Sequence, residues 1–373
     1  MAIKEYPFYL KTTVILFGII LLVYILAALG DILVPLAFAM LLAILLNPLA
    51  SWLQRHKVPK VPSILISLFS TLLLTSAMMY FLSSQIMAFG DSLPALKEKF
   101  GHIITDLEAW VYTHFGVNTQ KQVAFIKSTL DGSKALVGRT LDTVLGTLSV
   151  VFLIPVYTFM LLFYKQLILN FLYEVFSEEN SARVAEVLKE TKSAVQSYIV
   201  GLLLEMVIVA VMNSVALLIL GVKYAILLGV IGAILNMLPY IGGIIAIALP
   251  ILMATITKDG YSTQLGVIIA YLIIQFIDNN VVFPRVVSVK VQINALISIV
   301  IVLLGNALWG ISGMFLSVPF VAVLKIIFDR IDGLKPWGKL LGDNVPTRHI
   351  GEIWHRRQNR KTLSEEIVEP KKK

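Results

Sequence analysis

The stretch NMLPYIGGIIAIALP, residues 236–250, decides the fold of this chain. It lies inside an uncharged run from Tyr224 to Thr257, which contains a proline, a phenol and two adjacent glycines at its centre. A single helix over that run would be about 51 Å long, whereas the hydrocarbon layer of a membrane is about 30 Å thick. Proline removes a helical donor, and Gly242 and Gly243 allow backbone angles that other residues avoid. The sequence therefore predicts that the helix breaks between Pro239 and Gly243.

The composition is that of a membrane protein. Of the 373 residues, 58% are hydrophobic and only 14% are charged, whereas an ordinary soluble domain has about 25% charged residues. Uncharged runs long enough to span a bilayer, about 20 residues each, recur along the chain. We therefore expect an all-α, polytopic transmembrane protein with about eight membrane segments, two of them interrupted or re-entrant. We expect the lipid bilayer that surrounds these segments to be one of its partners.

Changes in charge density divide the chain into regions. Residues 1–90 predict N-terminal transmembrane segments, and the basic turn from Arg55 to Lys60 indicates the cytoplasmic side. Residues 91–142 contain six acidic and six basic residues and predict a helical extracytoplasmic segment. Residues 143–330 predict the transmembrane transport core, with a cytoplasmic amphipathic helix at 178–200 followed by a span from Leu202. Residues 331–373 predict a cytoplasmic tail, so that both termini are cytoplasmic.

Several kinds of site are excluded by composition. The chain has no cysteine, which excludes disulfides, zinc thiolate sites and iron–sulfur clusters. Its net charge of +8 fits the positive-inside bias of membrane proteins better than nucleic-acid binding. The sequence contains no GxxxxGK[ST] phosphate loop and no evident metal-ligand cluster. We therefore expect no cofactor, no bound metal and no nucleic-acid partner.

The motif GISG, residues 310–313, is similar to the glycine setting of the serine in intramembrane serine proteases. That chemistry also requires a histidine base within hydrogen-bond reach of the serine. All five histidines lie outside the predicted spans: His56, His102, His114, His349 and His355. We therefore expect no catalytic residues and no enzymatic activity.

A second uncharged run, from Val291 to Leu324, repeats the interrupted pattern around Gly305 and Gly310. Backbone that leaves the helix at membrane depth must be buried in protein or line a water-filled cavity, because unpaired amides facing lipid cost several kcal/mol each. Paired interrupted segments point to the binding site of a secondary transporter. A span with acidic and asparagine side chains precedes each run, which is consistent with an inverted repeat. Charge bias does not decide whether the two runs cross the membrane or re-enter it.

Ionisable groups inside the spans are candidates for transport. Glu205 could carry a proton, or be an interfacial structural glutamate. Asp278, with Asn279 and Asn280, could coordinate a cation or substrate hydroxyls, or cap a helix end. Arg285, which follows Pro284, and Lys290 could neutralise Asp278, receive an anionic group, or be ordinary topogenic charges. The polar residues among the other candidates could equally bind helix to helix. These other candidates for the transport pathway are Asn213, Asn236, Pro239, Tyr240, Gly242, Gly243, Gln275, Gly305, Asn306, Gly310 and Gly313.

Two long stretches resemble a known family. LGVKYAILLGVIGAILNMLPYIGGIIA, residues 220–246, and the run from QFIDNNVVFPR to VAVLKIIFD, residues 275–329, are similar to the autoinducer-2 exporter family of predicted permeases. The likeness is most specific at Pro239 to Gly242, at Asn279 and Pro284, and at residues 310–319. This chain departs from the family pattern at residues 288–290 and at Asn294 with Ala295, where relatives often have Gly-Lys and His-Pro pairs.

The resemblance implies a bacterial inner-membrane protein with about eight segments and a larger extracytoplasmic section between the third and fourth. It implies export of a small polar solute, such as the quorum-sensing signal autoinducer-2, and some relatives are described as sodium/proton antiporters. From the residues we expect a permease and a homo-oligomer, and coupling to H⁺ or Na⁺ is a hypothesis. A sodium/proton antiporter, a passive oligomeric channel and a membrane scaffold without transport remain the alternatives.

Overall fold

The computed structural model describes residues 7–90, 152–175, 181–237, 242–258, 260–287 and 293–343, together with isolated helical positions between 98 and 114. Within these residues the regular structure is helical and contains no strand. This confirms the all-α class. Most of the predicted extracytoplasmic segment, 91–142, and of the tail, 331–373, lies outside the described residues.

The described helices follow one another with short connections. Their bounds are α1 Phe8–Ala28, α2 Gly30–Arg55, α3 Lys60–Gly90, α4 Phe152–Phe163, α5 Lys165–Val175, α6 Ser181–Ile219, α7 Ala225–Asn236, α8 Gly242–Thr257, α9 Ser262–Ile277, a π-helical turn Asp278–Val282, α10 Phe283–Val286, α11 Ala295–Arg330 and α12 Lys335–Leu341. By length and composition, six helices of the described part are able to cross a membrane, or seven if α4 and α5 form one bent span.

The first three helices form an up-down-up arrangement. Leu29 alone separates α1 from α2, and the basic turn after Arg55 separates α2 from α3. Helices α2, α3 and α4 share a small apolar core that includes Ala43, Ile64 and Leu162. We call the side of the molecule that contains the Arg55 to Lys60 turn the basic face, and the other side the opposite face.

Helices α4 and α5 meet at a bend. The chain bends by 63° between α4 and α5, at Tyr164. Lys165 begins α5 and donates a hydrogen bond to Asn47 of α2, with 2.9 Å between Nζ and Oδ1. The bend therefore lies beside the basic face.

Helix α6 corrects one expectation. The sequence predicts an amphipathic helix up to residue 200 and a separate span from Leu202, but the structure has one helix of 39 residues, about 58 Å long. The reason is that no proline interrupts this part of the chain, and Gly201 remains helical. A Cβ at Gly201 would collide with the backbone of Val286, so the glycine allows α10 to pack closely against α6.

The predicted break in the first interrupted run is confirmed. Helix α7 ends at Asn236 and α8 begins at Gly242, and the two helices, of 12 and 16 residues, pack antiparallel. Gly232 faces Ala246 across this pair, and Gly242 lies against the backbone of Leu235. Helices α7 and α8 form a re-entrant hairpin, the first hairpin, about 18 Å deep along α7. Pro239 and Tyr240 lie outside the described residues.

The second interrupted run also folds back on itself. The backbone of α11 leaves helical geometry at Trp309 (φ −136°, ψ 23°) and Gly310 (φ 59°, ψ −142°). On either side of this break the backbones of Gly305 and Gly313 touch. In a straight helix these two residues would be about 12 Å apart along the axis. Helix α11 is therefore not one span of 36 residues but a second hairpin, with arms 295–308 and 311–330.

The two hairpins open toward opposite faces. The first hairpin follows the C-terminal end of α6 and packs Gly229 against Ser214 of that helix. The second hairpin opens at the N-terminal end of α6, where Arg330 forms ion pairs with Glu186 and Glu190. The contacts are those expected of an inverted pair.

Contacts at the ends of the helices fix which face each hairpin reaches. Lys165 lies within electrostatic range of Lys60 and Lys192, so the N-terminal end of α6 is at the basic face. Trp309, at the tip of the second hairpin, donates from Nε1 to the carbonyl of Leu26, beside the α1–α2 turn, over 3.0 Å. The second hairpin therefore extends from the basic face toward the opposite face, and the first hairpin enters from the opposite face.

Candidate functional site

Polar side chains converge where α6, the first hairpin and α9 meet. Asp278 and Asn213 are each only 2% exposed, Glu205 is 5% exposed and Tyr271 is 7% exposed. Two carboxylates, an amide and a phenol are thus buried within helices that are otherwise apolar. We call this group, together with Asn236 and Gln275, the polar cluster.

One strong hydrogen bond joins the tip of the first hairpin to this cluster. Asn236, the last residue of α7, donates from Nδ2 to Oδ2 of Asp278 over 2.9 Å. The break after Asn236 is what places its side chain here, because α7 ends instead of continuing past Asp278. The backbone interruption and the buried acid are therefore parts of one local structure.

Several atoms of the cluster have no hydrogen-bond partner in the described part of the chain. They are Glu205 Oε2, Asn213 Oδ1, Tyr271 Oη and Asp278 Oδ1. Leaving a buried polar group unpaired costs about 1–3 kcal/mol, so native proteins seldom leave several together. Four unpaired atoms from α6, α9 and the π-helical turn indicate a place where water or a small polar ligand binds.

Two glycines of the first hairpin make room for these side chains. A Cβ at Gly243 would lie 2.8 Å from Oε1 of Gln275, and a Cβ at Gly232 would lie 3.2 Å from Nδ2 of Asn213 and 3.4 Å from Oη of Tyr271. Larger residues would push the amides and the phenol away from the hairpin. Gly243 was a candidate from the sequence, whereas Gly232 was not.

A small cavity lies inside the polar cluster. Its volume is about 10 Å³, which is close to the space that one water molecule requires. Its walls include Asn213, Asn236, Gly243, Tyr271 and Asp278. Between the described residues there is thus room for a water molecule or a small ion but not for an organic solute.

Glu205 lies close enough to Asp278 for the two charges to interact. Tyr198 lies two helical turns before Glu205 on the same face of α6 and is also within its electrostatic range. Among the described residues, neither acid forms a salt bridge with a lysine or an arginine. No group of three or more acidic or histidine side chains in the described part of the chain could hold a metal ion.

The residues after Asp278 lie on the outer side of a π-helical turn. Such turns are rare and occur frequently at functional sites. Asn279 and Asn280 are exposed; Asn279 accepts from Gln275 over 3.3 Å, and Asn280 donates to the carbonyl of Phe276 over 2.7 Å. The turn therefore buries Asp278 alone of its three polar residues.

Arg285 forms no salt bridge with Asp278 among the described residues, which leaves the alternative of an ordinary topogenic charge. Arg285 and Pro284 are exposed on α10, and the hydrogen bond to Asp278 comes from Asn236 instead. The turn rotates the side chains that follow Asp278 away from the cluster. Lys290, the other basic residue considered for this role, lies outside the described residues.

The second break is separate from the polar cluster. Gly313 is buried against Gly305, whereas Asn306 and Gly310 are exposed, and the tip packs against the α1–α2 turn. Among the described residues, the second break does not line the cavity of the polar cluster.

Sequence reasoning missed Tyr271 as a member of the polar cluster and Tyr198 as a residue near Glu205. A helical spacing could have identified Tyr271, because Tyr271, Gln275 and Asp278 are four and three residues apart and share one face of the helix. Tyr198 and Glu205 are seven residues apart, which also places them on one face. Tyrosine is common in apolar helices near membrane surfaces, so these two phenols do not stand out in the sequence.

Comparison with known proteins assigns the chain to a family. Residues 13–333 match the family described as AI-2E family transporter, which covers nearly the whole sequence. This chain belongs to the AI-2E transporter family. The resemblance noted in the two motif regions is thereby confirmed.

Relatives within the AI-2E family are similar along most of their length. The AI-2 transport protein TqsA of Escherichia coli (strain K12) is 27% identical over 320 residues, which cover 84% of this chain and 90% of that protein. The putative transport protein YrrI of Bacillus subtilis (strain 168) is 25% identical over 305 residues, covering 79% and 85%. A putative transport protein of Haemophilus influenzae is 27% identical over 340 residues, covering 88% and 96%. The chain is therefore a multi-pass membrane transporter.

Proposed function

We propose that this protein is a carrier that moves a small polar solute and is driven by a proton or sodium gradient. The polar cluster is the site of the coupling cation in this proposal. The observation that supports it is the burial of Glu205 and Asp278 within range of each other, with an unpaired oxygen on each. Ionisable groups inside membrane segments are rare and mark ion pathways and proton relays.

A bound cation would reduce the repulsion between the two carboxylates of the polar cluster. Two carboxylates in a poorly polarisable environment repel each other strongly, and a proton or Na⁺ bound at either of them relieves the repulsion. Asp278 lines the small cavity, Glu205 lies outside its walls, and Asn213, Asn236 and Tyr271 add neutral oxygen atoms around it. Small hard cations are coordinated by oxygen ligands of these types. The cavity, at about 10 Å³, has the size for an ion.

Movement of the two hairpins would open the transporter alternately to the two sides of the membrane. Secondary transporters with inverted repeats and broken helices bind their substrates where the repeats meet, and open alternately to the two sides. The two hairpins here open to opposite faces, and the cavity between the described residues is too small for an organic solute. These features support a carrier over a permanently open channel. TqsA is named as an AI-2 transport protein, so autoinducer-2 is the first solute to test.

Transport in proteoliposomes tests the proposal. Vesicles with wild-type protein receive autoinducer-2 under an imposed pH gradient, an imposed Na⁺ gradient, or neither. We expect a gradient to raise solute flux, and we expect Glu205→Gln to abolish that stimulation. Glu174→Gln, the same change at an exposed acid of α5, is the matched control and should transport normally. Full stimulation in both Glu205→Gln and Asp278→Asn would refute the assignment of the coupling site.

A sodium/proton antiporter is the second candidate, and the cavity itself favours it. The space inside the polar cluster accepts an ion but not an organic solute. The distinguishing measurement uses vesicles that contain a pH-sensitive dye and no organic solute. A Na⁺ pulse that moves protons, and that Asp278→Asn abolishes, would establish antiport. Single-channel currents in planar bilayers would contradict both candidates and indicate a passive channel.

A further inference from the structure

Three lysines lie on neighbouring helices at the basic face without an acidic partner among the described residues. Lys60 begins α3 and lies over the ring of Phe163, two residues before Lys165, which begins α5. Lys192 lies on α6, within electrostatic range of Lys165. Lys165 donates to the neutral Asn47, and the salt bridges of the described residues involve other basic side chains. Like charges held together in this way favour an anion between them. We call these three residues the lysine cluster.

An apolar groove lies beside the lysine cluster, between α3 and α4. Its volume is about 690 Å³, and its walls include Leu65, Phe69, Leu72, Val156 and Phe159. Phe69 is 69% exposed and Leu65 is 51% exposed, so the groove opens at the outer surface of the bundle. On a membrane span that surface faces lipid tails.

The groove and the lysine cluster are continuous. Phe159 forms part of the groove and stacks on Phe163, with 5.9 Å between the ring centroids. The Nζ of Lys60 lies 5.0 Å above the ring of Phe163. An apolar path therefore leads from the middle of α3 directly to the cations at the basic face.

We propose that the groove and the lysine cluster bind one acidic phospholipid. An acyl chain lies along the groove between α3 and α4, and the headgroup phosphate lies at Lys60, Lys165 and Lys192. Basic pockets between transmembrane helices on the cytoplasmic side are known to suit anionic headgroups, and lysine binds phosphate well as a point charge. Free phosphate would use the lysines but leave the groove empty. A zwitterionic lipid would fill the groove but gain less from three positive charges.

Native mass spectrometry of the purified full-length protein tests this site. The probes are dioleoyl phosphatidylglycerol, which is anionic, and dioleoyl phosphatidylcholine, which has the same acyl chains and no net charge. We expect the wild-type protein to retain phosphatidylglycerol at least about tenfold better than phosphatidylcholine. The double variant Lys60→Gln/Lys165→Gln should retain the two lipids equally. Val156→Trp fills the groove and should weaken the binding of both lipids.

Lys223→Gln is the matched control, because Lys223 is an exposed lysine in the turn after α6, at the opposite face. This variant should retain phosphatidylglycerol like the wild-type protein. Size-exclusion chromatography establishes that each variant is folded. If the double variant does not fold, Val156→Trp and Lys192→Gln test the groove and the cluster independently.

Three results would overturn the proposal. One is wild-type retention of phosphatidylglycerol by a folded variant that lacks the lysines. Another is displacement of the bound anion by millimolar inorganic phosphate together with no effect of Val156→Trp, which would indicate a phosphate site alone. The third is a change of oligomeric mass caused by Val156→Trp, which would show that a second copy of the chain occupies the groove.

Discussion

Asn236 connects the backbone interruption to the buried acid of the polar cluster. Its side chain donates to Asp278 from the end of α7, and no other described donor contacts that carboxylate. The amide of Asn236 therefore holds the tip of the first hairpin in place and pairs with one of the two carboxylate oxygens of Asp278. Asn306, at the other interruption, is exposed, although the two residues look equivalent in the sequence.

The pair provides a matched test at the residue scale. Asn236→Ala leaves a buried carboxylate oxygen without a donor, which should lower the free energy of unfolding by about 1–3 kcal/mol. We also expect gradient-driven uptake to fall about tenfold, the equivalent of 1.4 kcal/mol in cation binding. Thermal denaturation in detergent and proteoliposome uptake measure the two effects. Asn306→Ala should change neither, and equal losses in both variants would contradict a special role for Asn236.

At the scale of the elements, close glycine contact defines the second hairpin. Gly305 and Gly313 bring the two arms of α11 together, and Gly310 reverses the chain with a positive φ of 59°. A side chain at either contact residue would have to displace backbone atoms of the other arm. The hairpin is therefore far less tolerant of substitution than its apolar sequence suggests.

Gly313→Ala tests that contact. The added methyl group meets the carbonyl of Gly305, which cannot rotate away, so we expect a loss of about 1–3 kcal/mol and a lower Tm. Gly18→Ala on α1 is the control, because nothing lies within 4 Å of a Cβ there. Alanine favours a helix over glycine by about 1 kcal/mol, so this variant should be unchanged or slightly more stable. An unchanged Tm in Gly313→Ala would show that the arms are not packed in this way.

At the scale of single elements, the positions of the helix breaks were more predictable from the sequence than the residues that pack around those breaks. Proline and glycine act locally, so the interruption before Gly242 was predictable, whereas the bend beside Lys165 has neither residue next to it. The fusion of 181–219 into one helix was not, because Gly201 looks like a breaker until Val286 is seen against it. The pairing of Asp278 with Asn236, 42 residues away, rather than with Arg285 depended on a π-helical turn that no sequence pattern indicated. The burial of Asp278 and Glu205 followed from their apolar neighbours, whereas the partners depended on tertiary packing.

At the scale of the whole molecule, the hairpins give the transport core an inverted plan. The connection between α8 and α9, at Tyr261, belongs to the opposite face, and α12 after the second hairpin belongs to the basic face. Asn294 fixes that second end, because its side chain donates to the carbonyls of Leu340 and Gly342. A crossing arrangement of the two runs would distribute these connections differently.

Cysteine labelling tests the inverted arrangement of the two hairpins. The chain has no cysteine of its own, so only the introduced cysteine can react. Tyr261 is 85% exposed, and we expect Tyr261→Cys to react with a membrane-impermeant maleimide in intact cells. Lys335→Cys, on α12, should react only after the cells are permeabilised. Labelling of both variants from outside would contradict the opposed hairpins and require at least one run to cross the membrane.

The unbroken length of α6 has a mechanical consequence. Glu186 at one end is tied to Arg330, and Glu205 and Asn213 lie farther along the same rod. A helix without a hinge cannot absorb a displacement by bending, so a tilt applied at its end on the basic face would move the two distant side chains in step. Helix α6 would then act as a lever between Arg330 and the polar cluster, with an arm from Glu186 to Asn213 about 40 Å long.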